Sequence, residues 1–136
     1  MADVFSKQQR SMVMAGIRHK DTKPEIAVRR VAHRIGLRFR LHKAGLPGRP
    51  DLVLPKHNLV IFVHGCFWHQ HEGCAKAYRP KSRSEFWNAK FEANVDRDRR
   101  VLTELLDLGW RVAVIWECET KNEQVLELHL KSLVQT

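Results

Sequence analysis

Apolar positions along the chain switch between helical and strand-like spacing, which predicts an α/β domain. Thr22-Lys-Pro-Glu25 has the composition of a helix start, with Thr22 as the cap and Glu25 completing a capping box. Apolar residues at helical spacing then lead to Gly36, a typical helix stop. A short helix is also predicted over residues 6–17, ahead of this one.

Four short runs of the sequence predict strands. The first run alternates apolar and polar residues, as a half-buried strand does. The second and third are separated by only four residues, which predicts a hairpin whose second arm is buried on both faces. The fourth is predicted to be another central strand. The predicted strands are residues 38–42, 51–54, 59–63 and 110–116.

Two further helices follow from periodicity and capping. A long helix is predicted to begin at Ser82 or Ser84 and to end before Gly109, and a last helix begins near Asn122. The order α-α-β-β-β-α-β-α predicts a mixed sheet with helices on both faces. The apolar face expected for the long helix contains Phe91, Val95, Leu102, Leu105 and Leu108.

Length and charge narrow the class of protein. A chain of 136 residues is expected to form one domain, residues 1–136. It has no membrane-length apolar run or signal-peptide pattern, so we expect a cytoplasmic location. The net charge of +9 arises entirely from residues 1–50, which hold 12 Lys and Arg against three acidic residues. Such asymmetry favours a nucleic-acid partner over a basic face kept for solubility.

A loop after the predicted strand 59–63 carries potential metal ligands. Cys66, His71 and Cys74, with Cys118 as the fourth ligand, form a Cys3His set of the kind that holds structural zinc. Spacing alone allows His69 in place of His71. The alternative is that the cysteines are small buried hydrophobic residues and the histidines are polar loop residues.

A second set of residues suggests hydrolytic chemistry. Asp51 begins a predicted strand, where its carboxylate could bind Mg²⁺, although a turn aspartate bonding its own backbone is a common alternative. The end of the neighbouring strand brings His64 and His69 within reach of Asp51, and a histidine there could take a proton from an attacking water. Glu25 could cap its helix and also reach a metal-bound water.

Aromatic and basic residues suggest contact with DNA. Phe67 and Trp68 could wedge between base pairs, although covering the end of the sheet is the default role for such rings. Phe86 and Trp87 form a second, less specific pair. Residues 97–100, Arg-Asp-Arg-Arg, could contact phosphates or form a solvated ion-pair face.

Several long strings of this sequence resemble the very-short-patch mismatch repair endonucleases, the Vsr family. The resemblance covers most of the chain. The strings are Pro47-Gly-Arg-Pro-Asp51, Val60-Ile-Phe-Val-His64-Gly-Cys-Phe-Trp-His69, Ser84-Glu-Phe-Trp87, Asn94-Val-Asp-Arg-Asp-Arg-Arg100, Leu108-Gly-Trp-Arg-Val112 and Trp116-Glu-Cys118.

The resemblance implies a restriction-endonuclease-like fold, in which a mixed central sheet is flanked by helices and a structural zinc site. It also implies a Mg²⁺-dependent nick beside the thymine of a T:G mismatch, the product of 5-methylcytosine deamination. The basic segment 1–20 should embrace the DNA. The implied protein is a monomer in the bacterial nucleoid, acting on mismatched double-stranded DNA with possible help from other repair proteins.

The resemblance also assigns roles residue by residue. Asp51 and the main-chain oxygen of Val63 should hold Mg²⁺, and Glu25 should reach it through water. His69 should act on the attacking water, with His64 close by. The remaining assignments are Cys66, His71, Cys74 and Cys118 for zinc, and Phe67, Trp68 and Trp87 for the wedge.

Two competing functions stay open at this point. One is a related restriction-type endonuclease that cleaves DNA without a mismatch. The other is a zinc-stabilised DNA-binding module without catalytic activity.

Overall fold

A mixed four-stranded sheet organises the part of the chain that the computed structural model describes, residues 22–135. Its strands are β1 (Arg40–Leu41), β2 (Leu52–Leu54), β3 (Leu59–His64) and β4 (Arg111–Trp116). They lie side by side in the order β1-β2-β3-β4. The first two pairings are antiparallel, and β3 is parallel to β4. The predicted hairpin between β2 and β3 is therefore confirmed.

Within residues 22–135, three helices accompany the sheet: α1 (Lys23–Arg34), α2 (Ser84–Asp107) and α3 (Glu123–Val134). The start of α1 is as predicted, because Thr22 Oγ1 accepts a hydrogen bond from the Glu25 N–H at 3.3 Å. Asn122 caps α3 in the same way, accepting from the N–H groups of Gln124 and Val125. Two short 3₁₀ helices, Pro55–His57 and Glu117–Lys121, follow β2 and β4.

The helices cover both faces of the sheet, as the sequence predicts. On one face α1 and α3 pack against alternate residues of β2, β3 and β4; on the other, α2 packs against the intervening residues. Burial of these apolar side chains is the main stabilising contribution to the fold. Typical contacts are Val28, Ile61 and Leu126 on the first face, and Val60, Phe62 and Leu105 on the second.

The loop before β2 packs closely against α2, and this requires a glycine. Gly48 has φ +71°, and a Cβ atom built there would lie 2.5 Å from Val101 Cγ1. No L-residue with a side chain fits that backbone and that gap without a shift. This close approach fixes the path of the chain as it leads into Asp51.

The structure corrects three expectations. The strand expected over residues 38–42 is only Arg40–Leu41. Strand β4 is not central, since within residues 22–135 it is the last strand in the order. The prediction failed because an apolar run indicates that both faces of a strand are buried and does not show whether both edges are paired. Leu102 and Leu108 of the predicted α2 face are 42% and 61% exposed. Phe91 and Leu105 of that face are fully buried as expected, so the buried stripe of α2 overlaps the predicted face only in part.

Some sequence expectations fall outside this description. The helix expected over residues 6–17 and the DNA-embracing segment 1–20 lie outside the described residues. Among residues 22–135, no helix is long and apolar enough to cross a membrane.

Candidate active site and metal centre

Glu25, His42 and Asp51 meet where α1, the end of β1 and the start of β2 converge; we call this group the acidic site. Both carboxylates are buried, with Glu25 3% and Asp51 8% exposed. His42 Nε2 lies 3.2 Å from Glu25 Oε2 and 3.6 Å from Asp51 Oδ1. Arg29, one turn along α1, also contacts Glu25 Oε2, at 3.1 Å. One oxygen or nitrogen from each of Glu25, His42 and Asp51 lies within 4.8 Å of the others.

Burial controls the charge of Asp51. It raises the pKa of this carboxyl from 3.8 to about 7, opposed by the Val63 N–H, which donates to Oδ2 at 2.6 Å, and reinforced by the nearby negative charge of Glu25. Two buried carboxylates side by side are unfavourable unless a cation neutralises them. The donor set of the acidic site therefore fits a divalent cation.

His64, His69 and Asp98 form a second group, the histidine site. His69 Nδ1 lies 2.7 Å from Asp98 Oδ2, and the His64 ring stacks on the His69 ring with centroids 3.8 Å apart and planes 5° from parallel. Burial, and secondarily the neighbouring His69, lower the pKa of His64 from 6.5 to about 4. His64 is therefore neutral near pH 7, since burial disfavours its charged form.

The Asp98 contact determines what His69 can do. Because a carboxylate only accepts hydrogen bonds, His69 must donate from Nδ1, and in the neutral ring the lone pair is then on Nε2. An imidazole held in this tautomer is suited to accept a proton from a bound water. His69 is also about three-quarters buried, so its ring is held in place.

The acidic and histidine sites share the carboxyl end of β3. Asp51 is bonded to the N–H of Val63, and His64 is the next residue. The two sites are separate clusters, since the ligand atoms of Asp51 and His69 do not belong to one 4.8 Å group. The structure thus brings Glu25, Asp51, Val63, His64 and His69 to one end of the sheet.

Three cysteines and one histidine form a third group, the cysteine site: Cys66, His71, Cys74 and Cys118. Their ligand atoms lie within 4.8 Å of one another. Because β3 and β4 are parallel with His64 opposite Trp116, the loops after the two strands leave the sheet together. His71 Nδ1 lies 3.6 Å from Cys66 Sγ and 3.5 Å from Cys118 Sγ.

This donor set has the chemistry of a closed tetrahedral zinc site. All three cysteines are free thiols, and burial raises the pKa of Cys66 to about 12. Cys66 is therefore protonated without a metal, and a cation bound there would displace the thiol proton. Of the two histidines that spacing allowed, His71 lies with the cysteines, whereas His69 lies with Asp98.

The aromatic residues of the predicted wedge are not equivalent. Phe67 and Trp68 are partly buried, and Phe67 contacts both Trp87 and Phe91, at 5.6 and 5.1 Å between centroids. Trp87 is 0% exposed, so its ring contacts Phe67 and Trp68 and not solvent, and its part in the wedge stays a prediction. It packs beneath Phe67 and Trp68 because it lies on the sheet-facing side of α2.

Sequence reasoning missed two residues of these sites. Asp98 was assigned to a phosphate-contacting or ion-pair face, yet it follows the buried stripe of α2, whose members are spaced by three and four residues. That spacing was the available signal, and the stripe contains Trp87, Phe91, Asn94, Asp98, Val101 and Leu105. His42 carried no comparable signal, since its position depends on the β1–β2 register and on a left-handed φ of 44°.

Asn94 shows that the polar residues of this stripe have a common purpose. Its Nδ2 donates to the Trp68 carbonyl at 3.0 Å, one helical turn from the contact between Asp98 and His69. Helix α2 therefore positions the loop after β3 through two polar contacts as well as through apolar packing.

The sequence matches a known family and several named relatives. A family model described as DNA mismatch endonuclease Vsr matches residues 2–76. The chain is 49% identical over 134 residues to the type II nicking enzyme V.XorIIP of Xanthomonas oryzae pv. oryzae, covering 98% of each. It is 45% identical over 126 residues to the DNA mismatch endonuclease Vsr of Escherichia coli, covering 93% of this chain and 80% of that protein. A more distant relative, the type II nicking enzyme V.HpaIIP of Haemophilus parainfluenzae, is 30% identical over 98% of this chain and 96% of its own length.

These matches extend along nearly the whole chain, which confirms the predicted enzyme class and the resemblance of the motifs. The chain belongs to the Vsr family and is an endonuclease.

Proposed function

We propose that this endonuclease nicks the thymine strand of double-stranded DNA at T:G mismatches, which arise when 5-methylcytosine deaminates. The observation that carries the proposal is the convergence of the acidic site and the histidine site at the carboxyl end of β3. The description of the family and of its Escherichia coli member, a DNA mismatch endonuclease, supports the choice of substrate.

In the proposed mechanism Asp51 and the main-chain oxygen of Val63 would hold Mg²⁺ at the acidic site, and Glu25 would act on it through water. A cation there supplies Lewis acidity and neutralises charge on the scissile phosphate. The protein's own groups handle the proton. His69 Nε2 accepts it from the attacking water, while Asp98 keeps Nδ1–H in place.

His64 has a supporting role in this scheme. Its pKa of about 4 keeps it neutral, so it stacks on His69 without adding a positive charge that would oppose proton uptake. An unstacked imidazole could rotate. The stacked His64 ring instead holds the His69 ring in one plane.

The cysteine site is proposed to bind a structural Zn²⁺ through Cys66, His71, Cys74 and Cys118. His69 lies between two of these ligands in the sequence, so the metal would fix the loop that carries the proton acceptor. A closed set of four protein ligands leaves no position for substrate. Zinc is therefore assigned to the stability of the site and not to the reaction.

DNA contact is proposed for the other side of this loop. Phe67 and Trp68 would enter between base pairs at the mismatch, where stacking is already weakened, and Trp87 would support them from below. The basic segment 1–20 would embrace the duplex and contribute sequence-independent affinity.

The remaining features of the proposal follow from the family. The chain acts as a monomer, a single restriction-endonuclease-like domain over residues 1–136. It works in the bacterial cytoplasm on nucleoid DNA, and other mismatch repair proteins are its proposed partners.

The test is a nicking assay on two duplexes that differ only at one position, T:G against T:A, each labelled on the thymine strand. In Mg²⁺ the wild-type protein should nick the T:G duplex and spare the T:A duplex. Asp51→Ala should lower the nicking rate by about a thousandfold or more while retaining DNA binding. His33→Gln, which alters an exposed residue of α1, serves as the control and should nick normally.

A second candidate function is nicking of a specific site without a mismatch. It is favoured by one observation, the names of the relatives from Xanthomonas oryzae and Haemophilus parainfluenzae, both described as type II nicking enzymes. Equal nicking of the two duplexes would support this alternative. Binding without any nick would instead indicate a non-catalytic DNA-binding module.

A further inference from the structure

His42 is the residue of the acidic site that the proposed mechanism does not use. Its Nε2 points at both carboxylates, 3.2 Å from Glu25 Oε2 and 3.6 Å from Asp51 Oδ1, and its side chain is only 18% exposed. The residue adopts φ 44°, a conformation uncommon for a residue with a side chain. Its own N–H is bonded to the Asp51 carbonyl at 3.3 Å, which ties the two residues together.

The spacing of these atoms is that of neighbouring metal ligands. Adjacent ligands of an octahedral ion with bonds of about 2.1 Å stand about 3 Å apart. The distance from His42 Nε2 to Asp51 Oδ1 is 3.6 Å, so a cation held by Asp51 would lie within reach of the imidazole with little movement, while Glu25 acts through water. The acidic site thus offers two carboxylates and one nitrogen, not oxygen ligands alone.

We propose that His42 Nε2 is a direct ligand of the cation in the acidic site, and that this nitrogen makes the site prefer first-row transition cations, such as Mn²⁺, to Mg²⁺. This rests on the cation site of the proposed function. Mg²⁺ favours oxygen ligands, whereas affinity for an imidazole nitrogen is greater among transition metals. The preference for transition cations over Mg²⁺ therefore depends on the His42 side chain, and a substitution of His42 would remove it without changing Glu25 or Asp51.

The competing explanation is that His42 is only a positively charged partner of Glu25 and Asp51. The two explanations differ in the sign of the effect. A positive charge repels every divalent cation, so its removal would strengthen the binding of Mn²⁺ and Mg²⁺ alike. Removal of a nitrogen ligand would weaken the binding of Mn²⁺ selectively.

The experiment uses the full-length, zinc-loaded protein and compares wild type with His42→Gln and with His33→Gln as the control. Calorimetric titrations with Mn²⁺ and with Mg²⁺ give the two affinities. Mn²⁺ affinity should fall about tenfold in His42→Gln, with Mg²⁺ affinity changed less than about twofold. Pulsed electron paramagnetic resonance of bound Mn²⁺ should show coupling to an imidazole nitrogen in wild type and in the control, and none in His42→Gln.

Three results would overturn the proposal: no nitrogen coupling in wild type, coupling that persists in His42→Gln, or equal changes in both affinities. Persisting coupling would place the Mn²⁺ at the histidine site instead. Zinc content and thermal unfolding report whether the variant is folded, and His42→Asn is the second variant if His42→Gln is not. Because these readouts need no DNA cleavage, failure of the T:G nicking assay leaves them interpretable, and their failure leaves that assay unaffected.

Discussion

Asp98→Asn is the substitution that tests the proposed role of His69 most directly. The asparagine keeps the size of the side chain and removes the charge that holds Nδ1–H. The contact is 2.7 Å long, and both side chains are about three-quarters buried, which is the geometry of a strong charge-assisted hydrogen bond. Bonds of that type contribute roughly 1.5–3 kcal/mol.

The effect on rate follows from that free energy. If the bond is made fully only as the ring gains a proton, its loss slows nicking by about 10- to 150-fold. An asparagine that turns its amide toward Nδ1 would also favour the wrong tautomer, which places a proton on Nε2 and adds to the loss. The total expected reduction in kcat is therefore between about tenfold and about ten-thousandfold, with DNA binding unchanged.

Single-turnover nicking of the T:G duplex, with enzyme in excess, measures this step without product release. Asp96→Asn is the matched control, because Asp96 is an exposed carboxylate two residues earlier on α2. The control should nick at the wild-type rate. If Asp98→Asn also nicks within about twofold of wild type, the hydrogen bond at His69 does not serve proton transfer, and the mechanism is wrong.

Three further predictions concern charge, metal and packing. Burial raises the pKa of Asp51 from 3.8 to about 7, so the fold favours its protonated form, and the stability this gives at low pH is lost as pH rises toward 7. In urea unfolding without Mg²⁺, the free energy of unfolding of wild type should therefore fall by a few kcal/mol relative to that of Asp51→Asn between about pH 4 and about pH 8. A difference that stays constant over this range would contradict a raised pKa for Asp51. Cys66→Ser should abolish the zinc found by metal analysis and lower the Tm by about 10 °C or more. The control Ala75→Ser, in the same loop, should change neither. Full zinc occupancy in Cys66→Ser would show that Cys66 is not a zinc ligand. Trp87→Ala should lower the free energy of unfolding by about 3–5 kcal/mol, and Phe86→Ala by less than about 1 kcal/mol, because the Trp87 ring is fully buried and the Phe86 ring is not. Equal effects in chemical unfolding would argue against Trp87 as the buried base of the aromatic cluster.

Features with a local cause were predictable from the sequence. The start of α1 is determined by the Thr22 side chain and its own helix, and the β2–β3 hairpin by two apolar runs and a short connection. The grouping of Cys118 with Cys66, His71 and Cys74 required the loops after β3 and β4 to meet, and the parallel pairing of the two strands explains how they do.

Features that depend on tertiary packing were not predictable. Leu102 and Leu108 fall at helical spacing, so the sequence predicted them to be buried, yet both are exposed. Only contact with the rest of the protein decides which face of α2 is buried. The burial of Trp87 follows from the same choice. His42 is set by register and by a backbone conformation that residue type does not specify, so no pattern in the sequence indicated its position.

The loop after β3 is held by its own backbone before any metal is considered. The N–H groups of His69, Gln70 and His71 donate to the carbonyls of Gly65, Phe67 and Cys66. This hydrogen-bonded loop carries His69, the proposed proton acceptor, the rings of Phe67 and Trp68, and two of the four sulfur and nitrogen ligands, Cys66 and His71. Lengthening or shortening the loop by a single residue would displace all of these groups at once, so we expect the segment 65–71 to tolerate little change of length.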